Sequence, residues 1–152
     1  MLALGGSFTG LALGFSLLIA SGSILAKALT LPFVALYAWG LLCGLWLIEA
    51  RDGAVKQNFY FWLTQIPHLM SSVAGYIFSS GASVYFLFQP EISRWDFTAH
   101  FGSRFEYSLL QGKPLVFGVN LLAVAVCTFL FLAMRHAPPN NSFKPNPLRG
   151  SA

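Results

Sequence analysis

Two long apolar runs, almost free of charge, fill the first fifty residues. One covers roughly residues 4 to 25 and the other roughly residues 32 to 50, and Lys27 is the single charged residue before Glu49. Because about 20 apolar residues are enough for a helix to cross the hydrocarbon core of a bilayer, each run predicts a transmembrane helix. The linker between them is short, so residues 1–50 are predicted to form an antiparallel helical hairpin.

The composition of the whole chain points to the same class. Only 9% of the 152 residues are charged, whereas soluble domains carry roughly 25%, so we expect an integral membrane protein. The net charge of +4 comes from basic residues that are scattered along the chain. A nucleic-acid partner would need a basic patch, so none is expected. No basic n-region precedes the first run, which predicts that the run is retained rather than cleaved as a signal peptide.

Glycines are spaced along both predicted spans in a way that favours close helix packing. Gly6, Gly10 and Gly14 recur at steps of four in the first span, and Gly40 and Gly44 do so in the second. Small residues at this spacing let two helix backbones approach within a membrane. These five glycines are therefore predicted to pack the two spans together, with self-association through the same face as the alternative.

A third apolar run, within residues 113–136, predicts the last transmembrane helix. Asn120 lies inside it, and a polar residue at membrane depth is a functional hypothesis by default. Asn120 has no acid or base beside it in the run, so an interhelical hydrogen bond is the expected role.

The middle segment, residues 51–112, is predicted to hold a small antiparallel sheet of three or four strands on the extracytoplasmic side. Apolar and polar residues alternate from Phe97 to Leu109, a period typical of a half-buried strand. We expect one continuous strand there, bulged at Gly102, with its odd positions buried. A turn at Ser80-Gly81 would pair Ile77 with Val84. The alternative is another membrane helix over residues 70–88, which gives four spans instead of three.

A polar face on the predicted strand is the nearest approach to a site. It carries Thr98, His100, Arg104 and Glu106, and the last three form a possible polar site, since an imidazole beside a carboxylate can perform acid–base work. The pattern equally fits a solvated strand face. Neither a catalytic set nor a motif for a cofactor or a metal ion is found in the sequence, so no catalytic residue, cofactor or metal is predicted.

The basic residues also predict an orientation in the membrane. With three spans, Lys27 and the basic residues of the C-terminal segment share one side, and the positive-inside tendency places that side in the cytoplasm. Residues 137–152 are rich in Pro, Asn and Ser and are expected to be a disordered tail. Their end, Asn141 to Ala152, resembles repeat-derived extensions that recur on unrelated bacterial proteins. The resemblance implies a bacterial source, and hence the inner membrane as the location.

The expected function is that of a small integral membrane protein of structural or protein-interaction type. Its expected partners are membrane lipid and another membrane protein or a second copy of itself. A subunit of an oligomeric pore or transporter is the first alternative. A membrane enzyme with a polar site near His100 is the second.

Overall fold

The computed structural model describes residues 2–110 and 112–136; the predicted tail, residues 137–152, lies outside them. The helices are α1 (Leu2–Ala20), α2 (Ile24–Ile48), α3 (Ala54–Leu63) and α4 (Leu121–His136). The strands are β1 (Pro67–Met70), β2 (Ala74–Ser79), β3 (Ala82–Gln89), β4 (Arg94–Phe101), β5 (Arg104–Leu109) and β6 (Val116–Asn120). All six strands belong to one antiparallel sheet in the order β4-β3-β6-β1-β2-β5.

The predicted fold class, an integral membrane protein with three or four helical spans and a small sheet, is wrong. Within residues 2–110 and 112–136, only α1 and α2 are long and apolar enough to cross a membrane. The third apolar run is divided between β6 and α4, and the 16 residues of α4 rise only about 24 Å, less than the roughly 30 Å of a hydrocarbon core. The alternative helix over residues 70–88 is also absent, since this segment forms β2 and β3. The sheet has six strands and extends from residue 67 to residue 120.

The sheet is built around one long, bent hairpin. Residues 74–89 pair with residues 94–109 in a single unbroken register, so that β2 continues into β3 and β4 continues into β5. A 3-10 turn at Pro90–Ile92 forms the hairpin loop. The predicted turn at Ser80-Gly81 is instead the bend, and Ile77 pairs with Glu106 rather than with Val84. The β1 and β6 strands pair with each other and bridge the two arms, β1 next to β2 and β6 next to β3.

The stretch from Phe97 to Leu109 bends where one continuous strand was predicted. Gly102 takes a positive φ of 111°, a conformation that favours glycine, and its N–H donates to the carbonyl of Gly81 at 2.8 Å. This bond ties the bends of the two long strands together. The sheet therefore has a concave inner face and a convex outer face.

The predicted burial of the odd positions is correct for only part of this stretch. Phe105 and Tyr107 are half-buried against α2, whereas Phe97 is exposed and Phe101 is 88% exposed on the outer face. The even positions point to the inner face, so the polar residues predicted to meet water or a partner lie on the concave side of the sheet. The alternation identified residues that share a face, but the bend determines which face is covered.

The α1–α2 hairpin packs on the outer face of β2 and β5 along most of its length. Phe33 stacks on Phe105, with ring centroids 5.2 Å apart, and the Tyr37 hydroxyl donates to the carbonyl of Ser79 at 3.0 Å. Near the tip of the hairpin, the Tyr107 hydroxyl donates to the carbonyl of Ala26 at 3.2 Å. One side of the hairpin is therefore covered by protein.

The five predicted packing glycines divide into two groups. Three lie between the two helices, where an added Cβ would overlap a side chain of the other helix: Gly10 faces Tyr37, Gly14 faces Val34 and Gly44 faces Leu4. The other two lie where the hairpin meets the rest of the protein. An added Cβ on Gly40 would overlap Phe61 of α3 and the Ser7 hydroxyl, and one on Gly6 would lie 2.5 Å from the Cα of Gly81. The bend of the sheet thus sits directly on α1.

Asn120 is the last residue of β6 and does not lie in a membrane helix. Its side-chain oxygen accepts a hydrogen bond from the N–H of Val84 at 3.1 Å and a longer one, 3.4 Å, from the N–H of Ala123. The second bond caps the first turn of α4, as Asn commonly does before a helix. The expected interhelical bond is replaced by a bond that joins β3 to the start of α4.

Candidate functional site

The concave face of the bent sheet encloses a cavity of about 330 Å³. Strands from both arms of the hairpin and from the β1–β6 bridge contribute to its wall, together with the segment before β6. The polar lining residues are His68, Tyr85, Thr98, Arg104, Glu106 and Lys113. The apolar lining residues are Met70, Ile77, Leu87, Pro114 and Val116. Small-molecule sites combine apolar side chains with placed polar groups, and this lining contains both.

Three charged side chains form a cluster at one side of the cavity. Glu106 accepts from Arg104, with an Nη2–Oε2 distance of 3.1 Å, and from Lys113 through its other carboxylate oxygen. The hydrogen bond from Lys113 is the largest cause that holds the pKa of Glu106 below its ordinary value; burial opposes this shift and the bond from Arg104 adds to it. Glu106 is therefore ionised at neutral pH, and the cluster carries a net charge of +1.

Two of the lining residues carry buried polar atoms that have no hydrogen-bond partner in the part of the chain that the structure describes. Tyr85 is 1% exposed and His68 is 8% exposed, and their rings meet edge to face with centroids 4.9 Å apart. Among the described residues, neither the Tyr85 hydroxyl nor His68 Nδ1 has a hydrogen-bond partner. Burial is the main cause that lowers the pKa of His68, and the positive charge of Arg104 lowers it further, while Glu106 acts in the opposite direction. His68 is therefore neutral at pH 7.

Polar atoms extend beyond the cavity along the same inner face. The hydroxyls of Ser79, Ser83 and Ser108 and the amide nitrogen of Asn120 are also buried without partners in the described part of the chain. Unpaired buried polar groups are uncommon in proteins, because each costs about 1–3 kcal/mol. Their concentration inside one sheet marks the concave face as the place where polar partners are needed.

The predicted polar site is only partly assembled. Arg104 and Glu106 line the cavity, but His100 lies beyond the bend on β4, is paired with Ser83 and does not line the cavity. Lys113, which sequence reasoning assigned to the flank of a membrane helix, joins the cluster instead.

His68 and Tyr85 were missed for a physical reason. The four residues of β1 are too few to show a period, and Pro67 before His68 suggested a turn. Tyr85 stands in an apolar segment where its hydroxyl gave no signal. The pairing of β1 with β2 and β6 is what brings these side chains to the cavity.

The chemistry of this arrangement favours binding over catalysis. The carboxylate of Glu106 is held by two cations, so its basicity is low, and neutral His68 does not contact it through any hydrogen bond in the described structure. General acid–base catalysis needs a base within hydrogen-bond reach of an acidic group and a pKa near the working pH. Among residues 2–110 and 112–136, no cluster of three or more His, Cys, Asp or Glu side chains could hold a metal ion.

A second surface feature is the uncovered side of the α1–α2 hairpin. Only 28% of the most apolar stretch of each helix is buried. Helices of the same length and apolar composition also occur in the cores of soluble proteins and in signal sequences. The exposed large side chains of α1 include Phe8, Leu13, Phe15, Leu17 and Ile19, and those of α2 include Ile24, Leu25, Leu31, Leu42, Leu45, Leu47 and Ile48. The hairpin thus has one face covered by protein and one apolar face without cover.

Comparison of the chain with protein-family models, with curated proteins and with solved structures gives no match.

Proposed function

We propose that the protein is a membrane-attached binding protein of the non-catalytic, interaction type. In this proposal the α1–α2 hairpin holds the protein in the bilayer, and the sheet carries a ligand cavity. The observation that carries the proposal is the uncovered apolar side of the hairpin. Ile19 and Ile24 are 85% and 86% exposed, and Lys27 is the single charged residue from Leu2 to Ile48.

Lipid is the partner that fits this surface best. Monomeric soluble proteins rarely expose contiguous apolar patches larger than a few hundred Å², and exposed aliphatic residues run along almost the whole length of both helices. The covered side, where Phe33 and Tyr37 meet the sheet, is not available to lipid. The hairpin therefore presents one side to acyl chains and keeps its other side on the protein.

The charge distribution supports an orientation for this arrangement. Because Tyr107 of β5 bonds to Ala26 near the tip of the hairpin, the sheet lies alongside the helices, and the hairpin enters the bilayer by its uncovered side without crossing it. The whole chain then lies on one side of the membrane, and its net charge of +4 favours the anionic cytoplasmic surface. We propose the bacterial inner membrane as the location, with the C-terminus cytoplasmic and the sheet on the same side.

Membrane attachment is tested by fractionation. The full chain, expressed in a bacterium, should stay with the membranes through an alkaline carbonate wash and a urea wash, and should be released by mild detergent. Recovery of the protein in the soluble fraction would contradict the proposal and would identify the hairpin as a helix pair covered by protein.

Orientation is tested with single cysteines in a variant that lacks Cys43 and Cys127. Gly22→Cys lies at the exposed tip of the hairpin, and Ser93→Cys lies at the exposed end of the β3–β4 loop. A membrane-impermeant maleimide added to intact spheroplasts should label neither position, and both positions should react after lysis. Labelling of the tip in intact spheroplasts would show that the hairpin crosses the bilayer and would contradict this arrangement.

The alternatives of a pore or transporter subunit and of a membrane enzyme near His100 stay predictions.

A further inference from the structure

The cavity in the bent sheet has the features of a site built for a particular kind of small molecule. It combines a volume of about 330 Å³, apolar lining residues and a charge cluster with a net charge of +1. We propose that it binds a small monocarboxylate with an apolar body. This ligand class rests on the proposed binding role of the cavity and does not depend on membrane attachment.

The size of the cavity limits the ligand. A dry cavity of about 150 Å³ holds one benzene molecule, so this cavity has room for on the order of ten non-hydrogen atoms. Nucleotides and longer peptides would extend beyond it. Short aliphatic acids and single-ring aromatic acids fit.

The charges select a monoanion. Arg104 and Lys113 carry two positive charges and Glu106 carries one negative charge, so a ligand with one negative charge neutralises the cluster and a dianion would overcharge it. Each cation is only partly occupied by Glu106, because a guanidinium group has five N–H donors and an ammonium group has three. Further donors therefore remain for a ligand carboxylate.

The apolar part of the lining accounts for the body of the ligand. Ile77, Leu87 and Val116 line the cavity and would contact an alkyl chain or an aromatic ring, while the carboxylate would lie against Arg104 and Lys113.

The experiment uses the full-length protein in mild detergent and three probes of matched size. Phenylacetate is the anionic probe, 2-phenylethanol is its neutral counterpart and 2-phenylethylamine is its cationic counterpart. Binding is measured by isothermal titration calorimetry. Phenylacetate should bind at least tenfold more tightly than either counterpart. Equal affinity for phenylacetate and 2-phenylethanol would overturn the proposal, and so would the absence of phenylacetate binding, which would show that water alone fills the cavity.

Lys113→Gln is the most informative variant. It removes one positive charge from the cluster, so the affinity for phenylacetate should fall about tenfold, and Lys113→Arg should retain it. The matched control is Lys56→Gln on α3, since Lys56 is exposed and does not line the cavity.

An affinity of Lys113→Gln that equals that of the parent would place phenylacetate elsewhere and overturn the assignment. Because binding is measured in detergent, a failure of membrane attachment in the fractionation experiment would leave this result unaffected.

Discussion

Adjacent glycines on α1 allow a sharp test of how the helical hairpin contacts the sheet. An added Cβ on Gly6 would lie 2.5 Å from the Cα of Gly81, whereas one on Gly5 meets nothing within 4 Å. The obstacle at Gly6 is backbone at the bend of the sheet, which cannot rotate away as a side chain can. Gly6→Ala must therefore move α1 off the bend, and Gly5→Ala need not move anything.

The expected difference can be worked out from the contacts. Both variants gain up to about 1 kcal/mol from the helix propensity of alanine, and this gain cancels in the comparison. Overpacking costs about 1–3 kcal/mol. Separation of α1 from the bend also lengthens the buried hydrogen bond between the hydroxyls of Ser7 and Ser80, now 3.1 Å, which contributes about 0.5–1.5 kcal/mol. Gly6→Ala should therefore be less stable than Gly5→Ala by about 2–4 kcal/mol.

Thermal unfolding of the two variants in the same detergent, followed by far-UV circular dichroism, measures this difference. For a chain of this length 1 kcal/mol shifts Tm by roughly 2–4 °C, so the two Tm values should differ by about 4–16 °C. Equal Tm values would refute the close contact between α1 and the bend. Gly5→Ala alone should be at least as stable as the parent.

Three further predictions concern the sheet. Phe105→Asp should lower the free energy of unfolding by about 2–4 kcal/mol, because it places a charge among stacked aromatic rings. Phe101→Asp should change the free energy of unfolding by no more than about 0.5 kcal/mol. Chemical denaturation measures both values, and equal losses would contradict the assigned faces of the sheet. The pKa of Glu106 in the folded protein lies below its unfolded value. Its contribution to stability is therefore present above the unfolded pKa of about 4.3 and is lost as the pH falls through the folded pKa. Glu106→Gln should flatten the dependence of Tm on pH in this acid range, and an unchanged pH profile would show that its ion pairs do not form. Asn120→Ala should lower the free energy of unfolding by about 1–3 kcal/mol, since it leaves a partly buried N–H of β3 unpaired and uncaps α4. Asn120→Ser, which keeps an uncharged acceptor oxygen for the cap, should lower it less; equal losses in the two variants would show that the acceptor bonds contribute little.

The sequence identified residues that share a face more reliably than it identified the environment of that face. The apolar runs at residues 4–25 and 32–50 largely coincide with α1 and α2, because no charge interrupts either run. The turn between the helices lies at residues 21–23, however, and not in the linker predicted around Lys27. From Phe97 to Leu109 the alternation was also real. Its odd positions are covered only where α2 packs, however, and no local pattern reports that contact.

The last apolar run shows a different limit. A continuous apolar segment does not distinguish a buried strand from a helix, and residues 116–136 contain one of each. Asn120, interpreted as a polar group at membrane depth, marks the boundary between them. The cavity could not be foreseen at all, because His68, Tyr85 and Lys113 are far apart in the chain and meet only through the pairing of β1, β2, β3 and β6.

The position of β6 in the sheet has a consequence for the newly made chain. The long hairpin, residues 74–109, can form locally from its loop, and β1 can pair with β2 as soon as both have been synthesised. Until residues 116–120 have been synthesised, however, β3 and β1 each keep one unpaired edge. Unpaired strand edges are templates for pairing with other chains. Premature termination before β6 should therefore yield a chain that aggregates through these two edges rather than a smaller folded domain.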